Sequence, residues 1–420
     1  MSVRSTAWIG KFLSIIGVVM LVLAGLSACT QNNSNPNQNT SPIKIGYTVP
    51  RTGDFSSDGP LLERGYQLWA SIVNKNGGLL GRQVQLVGLD DATKPDQVTA
   101  NYTKLISVDH VDLLFAPFSG DLTVPAAIVA HRFGYVLVEG AATEAATYQH
   151  GLDNLFAVSL PAEHYITSFS NFILSLPQQV RPTKAAYVTS NDAFTEPQVT
   201  TAKTLLENGG QAGGVQTVLF TTFPPETTSF TPLAERIVLS GAQVVVLGTL
   251  DVPSLAAFIK YFRAQHYNPQ ALIAATGPDQ GSTFINAIGG TAMAEGVFVP
   301  NDGWYPGIKT YHNDQFEQAY IAKYGGSAND ISSDTVQGFA SAQVLQQAIE
   351  ATHSFDQAKL KQYLRTNSFS SIQGTVVFDA AGRNTASVAF LFQWQKGQLI
   401  PVFPSYVAQA NPEFPKQQWP

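Results

Sequence analysis

The chain is 420 residues long, with 30 acidic against 24 basic residues, a formal net charge of −6 and one cysteine. Only 13% of residues are charged, and no basic cluster is interleaved with aromatics, which argues against nucleic acid as a partner. One thiol excludes a disulfide framework and any thiolate cluster, and the length predicts two lobes rather than one core.

The chain opens on Arg4 and Lys11, then an apolar run from Phe12 to Leu26, then Leu26-Ser27-Ala28-Cys29. A positive start, a short apolar stretch and small residues before a cut make a secretory signal over residues 1–28. The run is shorter than the roughly 20 residues that span a bilayer core. No other run is long and apolar enough to cross a membrane. The lone cysteine falls directly after the expected cut. Thr30 to Pro42 is rich in Asn, Gln, Ser and Pro, without a hydrophobe to bury. It reads as a disordered spacer.

From Ile43 the chain alternates strand and helix. Ile43 to Val49 reads as a buried strand, and Leu61 to Asn74 as a helix ended by Gly77-Gly78. Gln83–Leu89 is a strand, Asp96–Val108 a helix and Val111–Phe115 a strand. Helix Thr123–His131 and strands Tyr135–Val138 and Leu155–Val158 follow. The plan then restarts, without a sequence repeat. Strand Lys184–Thr189, helix Glu196–Asn208 and strand Val215–Phe220 lead to helix Phe230–Leu239, strand Gln243–Leu247, helix Pro253–Gln265 and strand Ala271–Ala275. Helices near Tyr311–Tyr324 and Asp334–Thr352 come next, and strands Gly374–Phe378 and Val388–Trp394 close the chain. Strands separated by helices mean parallel sheets covered on both faces. Ligands bind such α/β sheets in the crevice beyond the strand carboxyl ends.

Several strings resemble one family. They are Ile43-Lys44-Ile45-Gly46, Thr52-Gly53, Val73-Asn74-Lys75-Asn76-Gly77-Gly78-Leu79-Leu80-Gly81-Arg82, Asp90-Asp91-Ala92-Thr93-Lys94-Pro95, Gly277-Pro278-Asp279 and Ala294-Glu295-Gly296-Val297. In this order they resemble the type I periplasmic binding proteins, nearest the leucine/isoleucine/valine-binding receptors of ABC transporters. The match runs from about Ile43 to about Val402. Leu26-Ser27-Ala28-Cys29 likewise resembles the bacterial lipobox, in which the cysteine is lipidated. A chance cysteine in a secreted protein is the alternative.

The resemblance implies an α/β fold of two Rossmann-like lobes with parallel sheets, joined by three hinge crossovers near Leu160, Phe298 and Ile372. Residues 43–160 and 299–372 would form lobe 1, and residues 161–298 and 373–407 lobe 2. Residues 29–42 would be the lipid-anchored linker and residues 408–420 a tail. A ligand would bind between the lobes, and closure would be read by the permease subunits.

The family's α-carboxylate site falls on Phe118-Ser119-Gly120-Asp121 and Gly140-Ala141-Ala142-Thr143. Ser119 and Thr143 would supply hydroxyls, and Gly120 and Ala141 room for close backbone approach. Plain N-capping is the alternative for both hydroxyls. Asp279 stands where the family meets the α-ammonium, and a turn residue after Gly-Pro is its alternative. Phe194 matches an aromatic that covers the ligand, Phe55 the facing wall, and Trp304 with Tyr305 follows the strand near a crossover. Ordinary packing is the alternative for each. Leu250 replaces a family aromatic and Asp58 a tyrosine, which puts leucine-like specificity in doubt.

There is no Gly-x-Ser-x-Gly elbow, His-Glu-x-x-His or Walker loop, and the seven histidines show no metal-ligand spacing. The sequence therefore reads as a non-enzyme without cofactor or metal. It is expected to be an exported, lipid-anchored solute-binding component of an ABC importer. The expected cargo is an amino acid, branched-chain ones among the candidates, or a related small carboxylate. An amide, urea or aromatic-acid receptor is the alternative on the same fold. A sensing module coupled to a membrane signalling protein is the alternative from another class.

Overall fold

The computed structural model describes residues 41–209 and 213–420. The signal, Cys29 and most of the spacer lie outside the described residues.

The first sheet is built from β1 (Ile43–Val49), then helix α1 (Gly59–Lys75), β2 (Val84–Asp90), α2 (Pro95–Ser107), β3 (Leu113–Leu114), α3 (Gly120–Arg132), β4 (Leu137–Glu139) and β5 (Leu155–Ala157). β1 lies between β2 and β3, parallel to both, with Ile43 opposite Val84 and Ile45 opposite Leu113. A parallel bridge from Phe115 to Val138 adds β4, and β5 pairs parallel to β4. β1 is buried along nearly its whole length, as a central parallel strand with helices on both faces should be.

The chain then passes through α4 (Thr167–Ser175) to a second sheet. Its elements are β6 (Lys184–Ser190), α5 (Thr195–Asn208), β7 (Gln216–Phe223), α6 (Thr231–Ser240), β8 (Val244–Gly248), α7 (Val252–Ala264) and β9 (Ala271–Ala274), then α8 (Gly281–Ile288), α9 (Thr291–Ala294) and β10 (Phe298–Asn301). After β10 the chain returns to the first unit as α10 (Asn313–Tyr324), α11 (Ser333–Thr352) and α12 (Gln357–Thr366), then a small hairpin of β11 (Ser368–Ser371) and β12 (Gly374–Val377). It crosses once more to give β13 (Phe390–Gln395) and β14 (Gln398–Phe403). The second sheet has the order β14-β13-β10-β9-β8-β6-β7, parallel except for the antiparallel pairings of β13 with β10 and β14. This is an α/β fold of two Rossmann-like units joined by three crossovers. Phe298 opens β10 within the second sheet, and Ile372 lies in the β11–β12 turn.

The sequence leads to most of these elements but not to all. It contains no expectation of α4, α8, α9, α12, β11 or β14. β14 contains Pro401, and its hairpin turns on Lys396 and Gly397 at φ +52° and +75°, the positive pair that a tight turn between twisted strands requires.

α1 and α11 hold the first unit together. Leu62, Tyr66 and Trp69 of α1 are buried, the Tyr66 ring stacks on Phe115 at 4.4 Å, and Trp69 Nε1 donates to Gln346 Oε1 at 2.8 Å. The helices touch at two glycines. A side chain on Gly65 would collide with the carbonyl oxygen of Thr335, and one on Gly338 with that of Leu62. Thr335 Oγ1 donates to Leu61 O at 2.8 Å in the same contact. Gly65→Ala or Gly338→Ala should therefore push the helices apart and cost about 1–3 kcal/mol of stability. Urea unfolding of the variants measures this, and unchanged midpoints would show that the contact yields freely.

Candidate ligand-binding cleft

In parallel sheets the loops after the strand carboxyl ends lie on one side, and the expected site residues lie on such loops. Phe55 follows β1, Ser119 and Gly120 follow β3, and Ala141 and Thr143 follow β4. Phe194 follows β6, Asp279 follows β9 and Trp304 follows β10. Both sheets thus contribute at the edge where α/β proteins bind ligands.

On the first unit, Phe55 meets Phe118 edge to face at 5.5 Å. Ser119 precedes α3 at φ +69°, a strained value for a residue with a side chain. Its hydroxyl makes no cap bond to the helix, and Oγ is buried without a partner. Gly120 has no room for a side chain, since a Cβ would stand 2.5 Å from Thr147 Oγ1 and 2.8 Å from Glu144 Oε2. The 140–143 loop is held from beneath. Glu139 is fully buried at the end of β4, and its Oε2 accepts the Ala142 N–H at 2.6 Å. Tyr148 Oη lies between Glu139 Oε1 and Ala142 O, 2.8 Å from the carbonyl. Burial pushes the Glu139 carboxyl up to about 8. The Tyr148 hydroxyl is the donor in this group, with Glu139 Oε1 and Ala142 O as its acceptors. Thr143 is buried, and its carbonyl accepts the Ala162 N–H at 2.9 Å.

On the second unit, Asp192 Oδ1 accepts the N–H groups of Phe194 at 2.9 Å and Thr195 at 2.8 Å. That fixes the start of α5 and sets the Phe194 ring edge to face on Tyr165 at 5.7 Å. Asp279 forms a turn, its Oδ1 accepting the Gly277 N–H at 3.0 Å and its Oδ2 the Gln280 Nε2 at 3.1 Å. The residue is exposed at its surface, yet the mass of protein around it desolvates the carboxyl and pushes it up. Trp304 is placed elsewhere. It is 6% exposed, its Nε1 donates to Asn313 Oδ1 at 2.7 Å, and its ring packs on Phe316. Trp304 therefore anchors α10 rather than joining the other candidates.

The sequence analysis missed a set of acids. Asp302, just after β10, is 8% exposed, and its Oδ2 accepts Gln337 Nε2 at 3.1 Å and Gln373 Nε2 at 3.2 Å. Burial pushes its carboxyl up to about 6 against those two bonds, with Asp279 adding to the rise. Asp334 is pushed up to about 7, first by burial and then by Asp58, with Asp302 and Asp279 contributing. Glu144 is also raised, mainly by burial, with Asp121 and Asp192 adding repulsion. The usable signal was Val138-Glu139, a charged residue completing a buried strand. Asp302, Asp334 and Glu144 sit in loops or at a helix start, where acids are common. Among the described residues, no group of three His, Cys, Asp or Glu side chains is arranged to hold a metal ion.

Asp302 makes the pH dependence testable. Its folded value of about 6 lies above the ordinary 3.8, so the folded chain holds this proton more tightly than the unfolded one. Ionising it therefore costs stability above pH 6, the cost shrinks as pH falls through 6, and it is gone near pH 4. Asp302→Asn keeps an acceptor oxygen for the two glutamines and removes the charge. It should stabilise the protein by up to about 3 kcal/mol at pH 8 and by nothing at pH 4. Thermal unfolding of both proteins across this range measures the difference, and a pH-independent offset would contradict the buried ionisation.

Comparison with known proteins agrees with this geometry. The family model described as periplasmic binding protein matches residues 42–398. Leu/Ile/Val-binding protein homolog 7 of Brucella melitensis is 24% identical over 396 residues, covering 90% of this chain and 95% of the relative. Among solved structures, a putative branched-chain amino acid ABC transporter from Silicibacter pomeroyi superposes with a TM-score of 0.76 at 20% identity, covering 89% of this chain and 99% of that one. The branched-chain amino acid transporter substrate-binding protein LivJ of Streptococcus pneumoniae, solved with isoleucine, gives 0.67 at 18% identity, covering 85% and 97%. Two parallel sheets, three crossovers and a family match over most of the length make this chain a type I periplasmic binding protein, a solute-binding protein and not an enzyme.

Proposed function

We propose that the chain is the solute-binding component of an ABC importer, exported and held to the outer face of the cell membrane by lipid on Cys29. Its ligand is an amino acid, taken into the cleft between the lobes, and the closed form is what the permease subunits recognise. The lobes divide at the three crossovers, after β5, after β10 and between β12 and β13, which moves the sequence-based divisions at 298 and 372 to the ends of β10 and β12. The observation that carries this reading is the convergence of loops from the carboxyl ends of both sheets, with an unpartnered Ser119 hydroxyl on one side and Asp279 on the other. Ser119 and Thr143 meet the ligand carboxylate, flanked by Gly120 and Ala141. Asp279 meets the ammonium, and Phe55 and Phe194 close over the stem. The names of the relatives, which speak of leucine, isoleucine and valine, support an amino acid.

Cys29 is the anchor in this reading, and only a spacer separates it from the folded part. Cys29→Ser should release the protein from the membrane fraction without changing its unfolding midpoint. Mass spectrometry of the wild-type N-terminus should find acyl chains on Cys29, and a soluble, unmodified wild-type protein would end the anchor.

Asp279 separates amino acids from other acids. With an ammonium in the closed cleft, Asp279→Ala leaves that charge unpaired and should cost a few kcal/mol of binding, roughly 2–5. Calorimetric titration with leucine and with its deaminated analogue, on wild type and variant, makes the comparison. Equal losses for both ligands would remove Asp279 from ammonium recognition.

A further inference from the structure

Asp279 is exposed, but the turn that carries it is not. Gly277 and Pro278 are buried, and Gly277 stands at φ +112°, a value that a residue with a side chain rarely adopts. Pro278 has no N–H with which to tie the turn to a neighbouring strand. Two buried side chains take up its carbonyl oxygens instead. Trp394, in β13, is 5% exposed, and its Nε1 donates to Pro278 O at 2.8 Å. The same ring packs on Phe284 of α8, the helix that follows the turn. Thr249, after β8, is fully buried, and its Oγ1 donates to Thr276 O at 2.8 Å. β13 and β8 lie on opposite sides of β9 in the sheet, so the turn is held from both flanks.

The bonds that Asp279 makes itself stay within its own turn. Oδ1 accepts the Gly277 N–H and Oδ2 accepts Gln280 Nε2, so the carboxylate is fixed relative to the turn but not to the sheet. The direction of the turn relative to the sheet is set by the indole N–H and the threonine hydroxyl, two donors on rigid strand ends. We propose that Trp394 and Thr249 are positioning residues for ligand recognition, which aim Asp279 at the ligand ammonium without touching the ligand. This rests on the reading of Asp279 given above.

Trp394→Phe keeps a ring against Phe284 and removes the N–H. Calorimetric titration of the detergent-solubilised full chain should show leucine binding weakened about five- to tenfold, the worth of one neutral hydrogen bond, with the deaminated analogue unaffected. In an Asp279→Ala background the same change should weaken leucine no further, because a residue that acts through Asp279 then has nothing left to position. Thr249→Val should act in the same direction, and it serves where Trp394→Phe folds poorly. Deuterium uptake over residues 276–281, read by mass spectrometry without ligand, should rise in both variants. Equal losses for leucine and its analogue, full additivity with Asp279→Ala, or unchanged uptake would each overturn the inference. No leucine binding by the wild type, or an affinity that Asp279→Ala leaves untouched, would instead overturn the ammonium reading on which the inference stands.

Discussion

Whatever the cleft does depends on three crossing segments that share one set of buried hydrogen bonds. The first crossing leaves β5, and its Ser159 Oγ donates to Gln373 Oε1 at 3.3 Å. Gln373 passes the contact on to Asp302, at the head of the second crossing. The third crossing, between β12 and β13, lies along the first. Ala157 N–H donates to Gly382 O at 2.7 Å, Asn384 Nδ2 donates to Val158 O at 2.7 Å, and Arg383 pairs with Glu163. Thr310 Oγ1 ties the second crossing to the hairpin through Ile372 O at 2.6 Å. The three segments are thus stitched into one connection between the two units.

The acids of this region differ from acids that serve only the fold. Glu63 shows what a satisfied buried carboxylate looks like. Its Oε1 takes Arg51 Nη2 at 2.6 Å and Tyr47 Oη at 2.8 Å, and Arg51 Nε reaches Oε2 at 3.1 Å. Asp302 is held by neutral amides such as Gln337 and Gln373, and Glu144 by backbone N–H groups, without the cation that Glu63 has. Uncompensated carboxylates cost folding free energy. Extensive apolar packing elsewhere offsets that cost, around Tyr66, Trp69 and Phe115 in the first unit and Phe258, Phe262 and Phe298 in the second. Their gathering at the strand carboxyl ends, where α/β proteins bind ligands, is what distinguishes this edge from the rest of the surface.

Much of the fold was legible because parallel strands with helices on both faces write themselves as apolar runs separated by helical periods. β1, α1, β8 and α11 were readable for that reason. β11 and β14 were harder, because short antiparallel strands near a rim carry less apolar signal and Pro401 masks one of them. The positions of Ser119, Ala141, Thr143, Phe194 and Asp279 on strand-end loops followed from the family resemblance. The local strings alone fit N-caps and turns equally well. Trp304, an aromatic near a crossover, has the same sequence signature whether it faces a ligand or anchors a helix. Only its bond to Asn313 and its burial tell the two apart. The charge of the cleft was illegible, since Asp58, Glu144, Asp302 and Asp334 are scattered over nearly the whole chain and meet only in three dimensions.

The departures seen in the sequence acquire a physical sense once those acids are placed. Where the family resemblance sets a tyrosine, this chain has Asp58, which adds its charge to Asp334. Where it sets an aromatic after β8, Leu250 stands partly exposed at 39%. The first change adds negative charge beside Asp334, and the second puts an aliphatic side chain in place of a ring. Phe55 meets Phe118 edge to face on the first unit, and Phe194 meets Tyr165 edge to face on the second.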